Sequence, residues 1–301
     1  MENNPSYFGG LSGITADVDC FEFAEGITLR RTYAHLMSTN VMAFSPAPPG
    51  QHHPAPWRAA QGGFAFDINV EIAVSADSAA RLSLTPDDTL WLVAALLRLE
   101  HPYVSVPVIA DMSFSDAAAS KAESTLRPFE IEQRLFRHGG DFRVSLFELE
   151  WVQRKLEPVA KMLARSSAFN DAMRALDQAN VRGRTSASML ATWGALEQLF
   201  SPSRGELRFR VSSYIATYLE GPGARRLALY KQLLHLYDVR SKAAHTATSI
   251  ESAPLAQSYI ILRNALVKMV EEENVPSQLE LEAKLFSPTA PQPRSGERSP
   301  D

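Results

Sequence analysis

Positions 64 to 74 alternate without a break. Phe64, Phe66, Ile68, Val70, Ile72 and Val74 interleave with Ala65, Asp67, Asn69, Glu71 and Ala73. A period of two predicts a strand with one buried face. A weaker strand-like stretch runs from Phe21 to Arg31, with a turn at Glu25-Gly26. Five prolines and three glycines between positions 45 and 63 predict a loop joining the two. Thr85-Pro86-Asp87-Asp88 reads as a helix start: a capping side chain, proline at the first helical position, then acids at the positive end of the dipole. That helix is expected to run to about Leu99. Val104–Ile109 and Phe129–Phe136 are further strand candidates, the first an edge strand because Pro107 cannot donate to a ladder.

After Gly139-Gly140 the apolar period becomes 3.6. Ser145-Leu-Phe-Glu148 has capping-box spacing and opens a helix toward Arg165, with a kink or restart at Pro158. A shorter helix follows over about Ala168 to Asn180. Met189, Trp193, Leu196 and Phe200 stripe a third. A second capping box, Ser203-Arg-Gly-Glu206, opens a fourth with Leu207, Val211, Tyr214, Ile215 and Tyr218 on one face. Gly221-Pro222-Gly223 breaks the chain, and a fifth helix carries Tyr230, Leu233, Leu234 and Tyr237 inward. A sixth, from Ser252, turns Leu255, Tyr259, Leu262, Leu266 and Met269 inward. Amphipathic helices with short connections predict a bundle. The fold class is therefore α+β: a β-rich mixed domain over 1–140, an all-helical bundle over 141–276, and a tail over 277–301 expected to be disordered.

The chain has 45% apolar and 21% charged residues, ordinary for a globular protein. A single cysteine, Cys20, excludes an intrachain disulfide and a cysteine-based zinc site and reads as an inert small hydrophobe. Leu90–Leu99 is about half the ~20 apolar residues a bilayer crossing needs and carries Arg98. These features lead to the expectation of a cytoplasmic protein with no membrane partner. Net charge is −4, but from Arg204 to Lys242 eight basic residues face three acidic ones. A local basic surface on an acidic protein can attract a polyanion.

Within that surface stands Tyr237-Asp238-Val239-Arg240-Ser241-Lys242-Ala243-Ala244-His245. Upstream stands Trp193-Gly-Ala-Leu196-Glu197-Gln-Leu199-Phe200, and between them Arg208-Phe-Arg210-Val-Ser212. Together these blocks resemble the Arg-x4-His motif and the preceding helices of the HEPN superfamily, specifically its Apea-like branch. The likeness covers residues 185–250 well and 145–275 in outline. It implies a homodimeric, metal-independent endoribonuclease with no cofactor, of the kind used in antiviral defence or toxin systems. RNA would be the partner, Arg240 would stabilise the phosphate and His245 would move the proton. Asp238, Ser241, Lys242, Glu197 and Arg210 would support them. The N-terminal domain would sense a trigger, such as a regulatory protein or a phage component, or hold the nuclease off.

The chemistry is self-consistent. Breaking RNA without a metal needs a base near the 2′-OH and a cation beside the phosphate. Histidine titrates near neutrality, and arginine stays charged with forked donors. Projected at about 100° per residue from Tyr230, Arg240 falls about 80° to one side and His245 about 60° to the other. One chain's pair therefore brackets an apolar face; two copies about a twofold axis could surround one groove. The competing readings are an Arg240 ion pair with Asp238 or Glu197 beside a helix-capping His245, a non-catalytic RNA-binding or dimerising bundle, and a protein-interaction scaffold. His52-His53 with Asp67 reads as an exposed polar loop rather than a metal site. His138-Gly-Gly-Asp141 reads as a turn, and Tyr214 and Tyr218 as core rather than base-stacking platforms.

Overall fold

The computed structural model describes residues 6–37, 42–44, 49–50, 57–59, 65–119, 124–130, 142–180, 185–200, 207–245 and 251–286. The chain divides into two compact units, one of residues 1–132 and 136–160, the other of residues 133–135 and 161–301. The first carries an antiparallel sheet and the second is helical, as the α+β pattern predicts.

The alternating stretch is β7 (Ala65–Ser75), with Ile68, Val70, Ile72 and Val74 fully buried. Phe21–Arg31 resolves into a hairpin of β3 (Cys20–Ala24) and β4 (Ile27–Met37), turned at Gly26, whose φ is +75°. Strand β1 (Ser6–Ser12), which the periodicity does not reveal, lies between β7 and β8 (Ser105–Ala110), and β9 (Leu126–Pro128) closes the far edge. The order is β3-β4-β7-β1-β8-β9. Gly9 and Gly10 keep β1 out of sight of an apolar count and put it at the centre. A Cβ on Gly10 would stand 2.7 Å from Phe114 Cζ and 2.9 Å from Ile68 Cδ1, and one on Gly9 would stand 3.0 Å from Leu90 Cδ2. Other side chains occupy the space that side chains of β1 would need.

Strand β8 is not the edge that Pro107 predicts. Gly10 faces Val108 and Ser12 faces Ser105, so Pro107 falls where the register with β1 slips. A bulge tolerates the missing donor as an edge does, and the Pro107 carbonyl still accepts from Phe129 N–H at 3.0 Å. Phe129 and Glu130 continue the pairing of β9, while positions 131–136 of that candidate strand lie outside the described residues. Inside the expected 45–63 loop, β6 (Trp57–Ala59) pairs with β5 (Met42–Phe44).

Helix α1 (Ala76–Arg81) follows β7, and α2 (Pro86–Arg98) begins as predicted, with the Thr85 hydroxyl accepting from Asp88 N–H. Its last residue, Arg98, is 1% exposed. The guanidinium donates to Val104 O (2.9 Å) and to both oxygens of Glu130, whose Oε2 also accepts Val106 N–H. A buried charge is tolerable only when paired and hydrogen-bonded in this way. Helix α3 (Phe114–Ala119) is tied to the sheet by Glu71, which is buried in β7 and accepts Phe114 N–H. Strand β2 (Ile14–Ala16) pairs in parallel with β10 (Phe142–Val144), which leads into α4 (Leu146–Arg165).

The capping box at the start of α4 forms as predicted: Ser145 N–H and hydroxyl both donate to Glu148 Oε2 at 2.7 Å. The other oxygen, Oε1, accepts from His101 Nε2 at 2.8 Å. The helix runs unbroken through Pro158. The boundary between units falls at residue 160, within α4, rather than at 140. The physical reason is that Leu149, Val152, Leu156 and Val159 are buried and Gln153 donates to Glu22 O, so the first turns belong with the sheet.

The second unit holds α5 (Ser167–Ala179), α6 (Thr185–Phe200), α7 (Leu207–Leu219), α8 (Ala224–His245) and α9 (Ser252–Glu272) close to the predicted spans. One correction concerns the tail. Residues Gln278–Phe286 form α10, with a third capping box between Ser277 and Glu280 and with Leu281 1% exposed. Leu281, with half-buried Leu285 beside it, supplies the inner face, whereas Leu279 and Phe286 stay exposed; so short a face is masked by its polar surroundings. Among the described residues no helix is long and apolar enough to cross a membrane.

Two predictions follow from this packing. Gly10→Ala should lower unfolding free energy by about 1–3 kcal/mol through overpacking, read by urea denaturation; an unchanged midpoint would contradict the close approach. Burial pushes the Glu148 carboxyl up, but hydrogen bonds from Ser145 and the neighbouring His101 prevail and hold it below its ordinary 4.5. Its contribution is therefore present above 4.5 and lost as pH falls through the lower, folded value. Thermal melts between pH 3 and 6 should show this slope in the native chain, and a shallower one in Glu148→Gln.

Candidate functional site

Helices α6 and α8 lie side by side, and Trp193 and Glu197 of the one meet Tyr237 and Arg240 of the other. Trp193 is fully buried on α6, and its indole N–H donates to Ser258 Oγ of α9 at 3.0 Å. Its ring meets Tyr237 of α8 edge-on, with centroids 5.4 Å apart. One turn further along both helices, Glu197 and Arg240 form an ion pair with side chains 17% and 24% exposed. Arg240 Nη2 stands 3.1 Å from each carboxylate oxygen. The guanidinium carbon lies 5.6 Å from the centre of the Tyr237 ring, and the Tyr237 phenol is near enough to Glu197 to feel its charge. Burial first, then the Glu197 charge, push the Tyr237 phenol above its ordinary value, so at neutral pH it remains a donor.

The pair is incomplete. Arg240 Nε and Glu197 Oε1 are both buried, and neither has a hydrogen-bond partner among the described residues. A bidentate fork would match Nε and Nη2 each to one oxygen. Here both oxygens crowd Nη2: Oε2 in hydrogen-bond alignment, Oε1 at ion-pair distance only.

The face that α8 turns inward differs from the expected line. Leu233, Leu236 and Ala243 are buried, and Arg240 shares their side of the helix. Of the four residues expected inward, Leu233 is buried as read, whereas Tyr230, Leu234 and Tyr237 are half-buried and Leu227 on their side is 53% exposed. The helix carries apolar residues on two faces, so periodicity alone does not choose between them; α6 and α7 settle it by packing on one.

The other candidate residues are dispersed. Asp238 is gripped by Arg208 through two 2.8 Å bonds on the surface, which hold its carboxyl below the usual range. Of the two ion-pair partners weighed for Arg240, Glu197 is thus the one realised. Ser241 is half-buried, Lys242 exposed, and Arg210 half-buried on α7. Position 245 is the last of α8, and the ring of His245 lies outside the described residues, as do His52, His53, residues 138–141 and Ser203–Glu206. Asp67 is bonded to His35 Nδ1 at 2.7 Å. Tyr214 and Tyr218 are 5% and 1% exposed, with their hydroxyls donating to Glu282 and Glu272, which makes them core residues. Tyr237 and Ser258 are the participants that sequence reasoning missed. The signal available for Tyr237 was its place one turn before Arg240; none existed for Ser258.

No family model, curated protein or solved structure matches the chain.

The exposed Arg208–Asp238 ion pair and the buried Trp193–Ser258 hydrogen bond should separate cleanly in a stability assay. Arg208→Ala, at a pair half exposed on both sides, should leave the unfolding midpoint close to that of the native chain, because solvent screens such a pair. Trp193→Phe, which leaves a buried hydroxyl short of a partner, should cost about 1–3 kcal/mol. Equal losses in chemical denaturation would contradict this ranking.

Proposed function

We propose that the helical unit is a metal-independent endoribonuclease of the HEPN type, with Arg240 and His245 supplied to a shared site by each of two copies. The observation that carries the reading is that the two blocks bearing the resemblance meet. Trp193 touches Tyr237, and Glu197 holds Arg240, across 43 positions of sequence between Glu197 and Arg240. In the proposed reaction, His245 takes the proton of the 2′-OH, and that oxygen attacks the adjacent phosphorus. The P–O5′ bond breaks, and O5′ leaves with a proton returned by an imidazole of the pair. Arg240 stabilises the charge that builds on the non-bridging oxygens. The products are a 2′,3′-cyclic phosphate and a 5′-hydroxyl. The sheet unit would act as sensor or restraint, answering a regulatory protein or phage component.

The homodimer has its own support. Positions 240 and 245 stand about 140° apart around one helix, so a single α8 does not converge them. Exposed Leu227 and Phe209 (53% and 54%), with half-buried Tyr230 and Leu234 beside them and the Phe209 ring 6.3 Å from Tyr230, form an apolar stripe that a second copy would cover. Position 245 lies about five turns beyond Leu227 on that line.

A second reading is favoured by the way charges are satisfied within the subunit. Glu197 occupies Arg240 and Arg208 occupies Asp238, as in a non-catalytic RNA-binding or dimerising module.

Purified protein in excess EDTA should cut RNA to cyclic-phosphate ends, and Arg240→Ala and His245→Ala should each lower the rate by about 100-fold or more. RNA binding without cleavage in all three proteins selects the second reading. Cleavage that persists in both variants sinks the first. Leu234→Lys should shift the sedimenting species to monomer and stop cleavage together; a monomeric wild type that cuts at full rate would refute the shared site.

A further inference from the structure

The strained pairing of Arg240 is out of place for a purely structural ion pair. A pair that is four-fifths buried gains most from a complete fork, because each unmatched buried donor or acceptor costs its desolvation. Here Nε on one partner and Oε1 on the other are left unmatched. The carboxylate grips the guanidinium by one nitrogen, so its hold is weaker than the fork the two side chains could make. Arg240 also retains 24% exposure, which leaves a way in from solvent.

Glu197 has a second neighbour that does not depend on Arg240. The Tyr237 phenol lies within reach of its charge, and the Tyr237 ring is braced edge-on by Trp193, itself pinned to Ser258. If Arg240 turned to another anion, the phenol O–H would be placed to donate to the carboxylate, which would not be left buried and bare.

We infer that the Glu197–Arg240 pair is an exchange site for a phosphate-type oxyanion, in which the Glu197 carboxylate stands in for the ligand and Tyr237 is the positioning residue that holds Glu197 once Arg240 has left it. The inference rests on the proposed reading for the identity of the ligand, an RNA phosphodiester, but the exchange itself concerns any tetrahedral oxyanion. Binding then carries a fixed cost, the breaking of one incomplete ion pair, and the empty site is held shut until an anion competes successfully. Glu197 and Tyr237 touch Arg240 rather than the reacting atoms, so their effect falls on binding before it falls on the chemical step.

The test uses the full chain and two probes: a fluorescent 2′-O-methyl RNA, which cannot be cut, followed by anisotropy, and inorganic phosphate, followed by the rise in melting temperature. Removing the competing charge should tighten RNA binding: Glu197→Gln by about tenfold, and Glu197→Asp, which keeps the charge but shortens the reach, by less. The gain should vanish in Glu197→Gln/Arg240→Ala. Tyr237→Phe should weaken binding when Glu197 is present and change nothing when Gln stands there, a coupling that a merely structural tyrosine would not show. Should Glu197→Gln fail to fold, Glu197→Asp and Tyr237→Phe carry the measurement. Binding in folded Glu197 variants that equals or falls below wild type overturns the inference, as does a gain that survives Arg240→Ala. If RNA is cut yet Glu197→Gln binds no tighter, the exchange falls and the ribonuclease reading stands. If RNA does not bind but phosphate stabilises Glu197→Gln more than wild type and leaves Arg240→Ala unmoved, the exchange stands and the ribonuclease reading falls. If neither probe binds, the exchange falls.

Discussion

A guanidinium on the inward side of a helix is the constraint around which the helical unit is arranged. Leu233, Leu236 and Ala243 seal α8 against its neighbours, and Arg240 occupies the same side. A cation there must have an anion within reach. Glu197 supplies it from α6, Tyr237 supplies a ring beside the guanidinium, and Trp193, pinned by Ser258, braces the tyrosine. The register of α6 against α8 therefore has a polar determinant as well as an apolar one: a slide by one turn would leave Arg240 and Glu197 unpaired. Chemistry and packing share these residues, which is why the site is precise in outline and imperfect at two atoms.

The sheet unit solves the same problem with different parts. Arg98 is as deeply buried as any leucine of α2, and its charge is matched by Glu130 and by the Val104 carbonyl. Glu71 is matched by the first amide of α3, and Glu148 by its own capping serine and by His101. In each case one side chain joins two elements distant in sequence, so polar contacts specify which pieces meet while the apolar faces supply the driving force.

What could be read from the sequence tracks the range over which each determinant acts. The helix start at Thr85, the capping box at Ser145 and the alternation of β7 are local, and all three form as read. Strand β1 was illegible because its identity lies in what surrounds it: Gly9 and Gly10 look like a flexible leader until Leu90, Phe114 and Ile68 are seen filling their empty positions. The inward face of α8 is legible only in part, at Leu233, because two apolar lines compete on one helix and only the neighbours decide. Pro107 was read correctly as a broken ladder position but assigned to an edge rather than to a slip in register. For the candidate site, the motif named Arg240 and Glu197, whereas the incomplete geometry between them and the part of Tyr237 required coordinates.

Helix α4 begins within the sheet unit and passes into the helical one without a loop. No linker peptide exists there for a protease, or an experimenter, to sever. Excision of the bundle at residue 160 would discard the Ser145–Glu148 cap and expose the raw amides of a mid-helix end, which water would fray. A gene fragment encoding the helical half alone would have to borrow about fifteen residues from the other half to start its first helix properly.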